Sequence, residues 1–115
     1  MKPAKSAPEE CESSVKHFKR VLALAENLAS LGIRIRGHHY EPHFFGMWEI
    51  IAGSFNQRWK FLWDDRDQIL FISKATFNEF GSIENDWIKI SDEDIDARRG
   101  VDPFLFVERF LKTRY

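Results

Sequence analysis

The chain has 115 residues with 17 Lys and Arg against 18 Asp and Glu, and an aromatic share of 15%. That length suits one domain with one core, the aromatic content argues against disorder, and a net charge of −1 denies the chain a global positive field for nucleic acid. A lone Cys11 excludes an internal disulfide and fits a reducing compartment. No apolar run approaches the roughly 20 residues of a membrane span, so the reading is a cytoplasmic protein with no membrane partner.

In chain order, Met1–Glu12 shows no periodicity and reads as a flexible tail ahead of a single domain over 13–115. Ser13 or Ser14 can cap a helix, and Val15, Phe18, Leu22, Ala25 and Leu28 fall on one stripe at helical spacing. Lys16, Lys19, Arg20 and Glu26 then face outward, and Gly32 supplies the left-handed residue that ends the helix. Ile33–Arg36 alternates like a short edge strand, while Gly37–His43 is bracketed by glycine and proline and reads as a loop.

The stretch from Gly46 to Ala75 predicts a meander. Met47–Ala52 is a strand that stops at Gly53-Ser54. Arg58–Trp63 alternates, with Trp59, Phe61 and Trp63 on one face and Arg58, Lys60 and Leu62 on the other. The run Asp64–Asp67 turns the chain into Ile69–Ser73, and Thr76–Asp86 reads as a connection. Trp87–Ile90 is a further short strand, Ser91–Arg99 a short helix ended by Gly100, and Asp102-Pro103 a strong start for a last helix. Phe104, Val107, Phe110 and Leu111 form its buried face. The expected fold is α+β: an N-terminal helix, an antiparallel meander of three to five strands, and C-terminal helices packed on it.

Two constellations carry chemistry-bearing groups. His38, His39 and His43 cluster around Glu41, a set read as acid–base groups near neutral pH, as a metal site, or as a solvated polar loop. The spacing matches no standard zinc site, and the reading assigns neither metal nor cofactor. On the meander, Arg58, Lys60 and Lys74 would form a phosphate-binding patch if register brings them together, with Trp48 or Tyr40 as a stacking surface. The plain alternative is the solvated face of a half-exposed sheet. The acidic run Asp92, Glu93, Asp94 and Asp96 suits a helix N-terminus.

Gly46-Met47-Trp48-Glu49-Ile50 resembles the Gly-Leu-Trp-Glu-Leu strand of the RelE/ParE toxin superfamily, in its HigB-like, phage-related branch. Leu28–Gly32, the loop 37–45, Trp59–Trp63, the turn 64–68 and Ile69–Ile72 follow the order of that branch, over the middle half of the chain. Ile51 stands where the family carries an arginine. The resemblance implies a small helix-on-sheet toxin that cuts mRNA without a metal and is neutralised by an antitoxin, or a diverged inactive relative. Arg58, Lys60 and Lys74 would then contact phosphate, His39 and His43 would act as acid–base groups, and Trp48, Tyr40 and His38 would bind RNA. The rival expectation is a non-catalytic interaction module, a phage- or plasmid-encoded inhibitor of a host protein. Both expect a protein partner, antitoxin or host target, and both leave room for a homodimer.

Overall fold

The computed structural model describes residues 6–44, 46–54, 57–77 and 83–115. A helix α1 (Ser6–Ala29) leads into five strands, β1 (Arg34–Glu41), β2 (Met47–Gly53), β3 (Arg58–Asp64), β4 (Ile69–Phe77) and β5 (Ile83–Asp94), and a helix α2 (Pro103–Lys112) closes the chain. The strands form one open antiparallel sheet in the order β1-β2-β3-β4-β5, each paired with its sequence neighbour. Both helices lie on the same face of it. This is the α+β architecture expected from the sequence.

Strand alternation decides which side chains meet the helices. Trp48, Ile50 and Ala52 of β2, Trp59, Phe61 and Trp63 of β3, and Leu70 and Ile72 of β4 are buried beneath them. From above, α1 contributes Leu24 and Leu28, and α2 contributes Phe104, Val107 and Leu111. Phe110 meets Trp59 and Phe61 edge-on, with centroids 5.1 and 5.5 Å away, and Phe104 stacks on Trp48 at 4.5 Å.

The local signals for stopping and starting hold at both helices. Gly32 sits at φ 75°, with its N–H donating to the Ala29 carbonyl and that of Ile33 to Leu28, a Schellman-type end. Asp102 caps α2 by accepting from the Phe104 N–H at 2.9 Å, with Pro103 in the first turn. Between β3 and β4, Asp64 Oδ1 accepts from the backbone of Arg66 and Asp67, and Gln68 takes the left-handed conformation at φ 55°. The Gln68 amide also ties this turn to Asp65 and to the Ala97 N–H.

Five expectations are corrected. The helix starts at Ser6, upstream of the expected cap at Ser13 or Ser14, and takes in part of the segment read as tail; residues 1–5 lie outside the described ones. Its buried stripe is His17, Leu24 and Leu28 with half-buried Val21, whereas Val15, Phe18 and Leu22 are exposed. Leu28 belongs to both candidate stripes, so periodicity alone admits either rotation of the helix. Gly37–Tyr40 is strand rather than loop, because β1 runs unbroken past Gly37 with an irregularity between Ile35 and Gly37. Finally, β5 runs through Asp94, so Ser91–Arg99 is not a helix; a single 3-10 turn at Ala97–Arg99, closed by Gly100 at φ 91°, follows it. Of the connection read at Thr76–Asp86, both ends are strand, and 78–82 lie outside the described residues.

Candidate functional site

The meander places the candidate residues on two faces. His38 and Tyr40 pair with Ile50 and Trp48 and point toward the helices, while His39 pairs with Glu49 on the opposite face. Beneath α1, His17 is 6% exposed, and its Nε2 lies 2.7 Å from His38 Nε2. The His17 ring stacks on Tyr40 at 3.9 Å, and the Tyr40 hydroxyl hydrogen-bonds Ser13 Oγ at 2.9 Å. Burial, then the charges of His38 and Arg20, lower the His17 pKa to about 4; burial and His39 lower that of His38. At neutral pH the two neutral rings share one hydrogen bond. Arg20 pairs with Asp102 and lies over the Phe104 ring, joining the two helices.

This cluster borders a cleft of about 250 Å³ lined by Lys16, His17, Arg20, Tyr40, Trp48 and Trp63, among others. Its polar groups are engaged with each other. His38 and Tyr40, expected to bind RNA, hold α1 on β1, and Trp48 is core at 3% exposed.

Lys74 is also on the helix side. It pairs with Trp59 across the β3–β4 ladder, and its ammonium lies 5.1 Å from the Trp59 ring centroid. Lys60 pairs with Ser73 and lies on the other face, as does Arg58, which pairs with Gly53 of β2. The expected patch of Arg58, Lys60 and Lys74 is therefore divided by the sheet itself. The histidine cluster divides as well: His39 Nε2 lies 2.6 Å from Glu41 Oε1 on the face opposite His38, and His43 is exposed in the β1–β2 turn. Among the described residues no group of three or more His, Cys, Asp or Glu is arranged to hold a metal ion.

No described helix covers the second face of the sheet, and the pairings give its layout row by row. One row runs His39, Glu49, Leu62, Phe71, Asp92, and its neighbour runs Gly37, Ile51, Lys60, Ser73, Lys89. Beyond the first, Glu41 pairs with Met47 and Ile69 pairs with both Asp64 and Asp94. Ile51, Leu62 and Phe71 occupy the middle, each half-buried. Charged residues surround them, Arg58, Lys60 and Lys89 toward one end and Glu41, Asp64, Asp92 and Asp94 toward the other, with Lys89 and Asp92 paired at 2.5 Å where the two sets meet. Lys60 lies 4.7 Å from the Trp87 ring centroid and 3.9 Å from Glu49.

Sequence reasoning placed Leu62 on this face but missed Ile51 and Phe71 as its apolar centre and His17 as the partner of His38. Parity locates the first two, since each is one residue out of step with its strand's buried set. Nothing marks His17, a single imidazole on a helix with two apolar stripes.

Comparison with protein-family models, curated proteins and solved structures finds no match to this chain. Among the described residues no helix is long and apolar enough to cross a membrane.

Proposed function

We propose that the domain acts by binding another protein through the uncovered face of its sheet. The observation that carries this reading is the layout of that face: a half-buried apolar centre of Ile51, Leu62 and Phe71 between a basic end and an acidic end. An aromatic and aliphatic centre with charged surroundings is the anatomy of a protein interface. A nucleic acid strand crossing the same face would bring phosphates against Glu41, Asp64, Asp92 and Asp94, an arrangement that costs binding. Opposed charge at two ends instead fixes the orientation of a protein partner.

A RelE-like toxin is the second reading, favoured by the resemblance around Trp48-Glu49 and by Arg58 and Lys60 sharing the uncovered face. Without Lys74 or His38 on that face, the phosphate and acid–base set reduces to Arg58, Lys60 and His39.

One experiment separates the two. A photo-crosslinking amino acid at Ser73 in bacterial cells should yield a protein adduct that disappears in the Phe71→Glu chain, while expression leaves mRNA intact. Growth arrest with mRNA cleavage, lost in the Arg58→Ala, Lys60→Ala chain, would overturn the protein-binding reading in favour of the nuclease.

A further inference from the structure

The outward face of α1 carries a second apolar stripe with no role in the core. Val15 and Phe18 are each 52% exposed and Leu22 is 60% exposed. With Ala25 and Ala29 they recur at alternating intervals of three and four, the seam of a two-stranded coiled coil. The seam lies on the side of α1 away from α2. Arg20 and Asn27 reach toward α2, to Asp102 and Glu108, whereas Phe18 lies over the β1 side, 5.4 Å from the His38 ring. β1 is an edge strand, so no described element stands beyond it.

Beside the seam, Glu12, Lys19 and Glu26 recur every seven residues, all exposed. Lys19 and Glu26 have no ion-pair partner among the described residues. Their alternating sign is self-complementary when the helix is laid against a copy of itself in the opposite direction. With Leu22 set across from Ala25 of a second copy, Phe18 falls across from Ala29. Each large side chain then meets a small one. In that same register Lys19 of each copy lies beside Glu26 of the other, which makes two ion pairs. Sliding by one heptad either way from this register carries the seam toward helix ends or sets Lys19 against Lys19.

We infer that α1 is a homodimerisation helix, which pairs antiparallel with α1 of a second copy, Phe18 and Leu22 packing on Ala29 and Ala25 in the register fixed by Lys19 and Glu26. The surface is distinct from the sheet face assigned above, and both remain available at once, so a dimer would present two partner-binding faces. A seam this short lies at the low end of size for a specific interface, so the dimer is a weak one.

The test is sedimentation equilibrium of the full chain from about 1 to 200 μM, with circular dichroism to verify that each variant folds. Wild type should dimerise, and Leu22→Asp should be monomeric with an unchanged fold. Lys19→Glu and Glu26→Lys should each weaken dimerisation about tenfold, and the combined charge swap should restore it. A wild type that stays monomeric throughout would overturn the inference. So would a dimer indifferent to Leu22→Asp, or one whose single charge variants behave like wild type, since a parallel pairing would set Lys19 beside Ser14 or Val21.

Discussion

The buried pair of His17 and His38 makes stability depend on pH in a calculable way. The unfolded chain takes up a proton at His17 near its ordinary pKa of 6.5, whereas the folded chain resists until about 4. Between those values the unfolded state holds more protons, so stability falls as pH falls from about 6.5 to about 4 and changes no further from this source below that. Integrating the two titrations gives a loss of about 2 kcal/mol between pH 7 and pH 5 from His17 alone. His38, lowered by burial and by His39, adds in the same direction. Urea unfolding followed by circular dichroism at the two pH values measures the loss. His17→Gln keeps a polar group within reach of His38 and removes the titration, so its pH dependence should be flatter by most of that amount. Equal losses in wild type and variant would refute the assignment of a neutral, buried His17.

Three further predictions concern packing and hydrogen bonds. Gly53→Ala should cost at least about 3 kcal/mol by denaturant unfolding, because its Cβ would lie 1.9 Å from the Gln57 carbonyl oxygen, a backbone atom with little freedom to withdraw. Trp63→Phe should cost about 1 kcal/mol more than Trp59→Phe: Trp63 Nε1 donates to Asp65 at 3.0 Å, while Trp59 Nε1 is buried with no hydrogen-bond partner among the described residues, so its removal relieves an unsatisfied donor. Asn27→Ala should cost about 1.5–3 kcal/mol at pH 7, since its amide donates to Glu108 at 2.7 Å and, ahead of Lys112, holds that carboxyl below its ordinary pKa. A depressed carboxyl stabilises the fold above its unfolded pKa near 4.5 and loses the contribution as pH falls toward the folded value. The variant's deficit should therefore shrink below pH 4.5, read by the same unfolding series.

Much of this fold is legible in the residues because each element is marked by more than one signal. Asp102-Pro103 specifies both cap and first turn, and Trp59-x-Phe61-x-Trp63 specifies both strand and buried face. The failures arise where one signal stands alone. Periodicity along α1 fits two stripes, and only the burial of Leu24 in the core and of His17 against β1 selects between them. Gly37 suggests a loop, yet glycine belongs in this strand because a Cβ would press on the Ile51 side chain at 3.3 Å, across the paired strand. The placement of Lys74 is legible in the sequence: it shares parity with Leu70 and Ile72, both buried, whereas Arg58 and Lys60 alternate with a buried set. Parity taken strand by strand therefore separates the three cations. No local pattern marks the His17–His38 pair, whose members are 21 residues apart.

The central claim, a protein-binding sheet face, is tested most directly by titrating the crosslinked partner, once purified, against wild type, Phe71→Glu and Lys60→Ala. Protein binding through this face predicts a loss of about a hundredfold or more for Phe71→Glu, less than tenfold for Lys60→Ala, and little weakening by added salt. Binding to RNA that falls steeply with salt, collapses in Lys60→Ala and survives Phe71→Glu would contradict it.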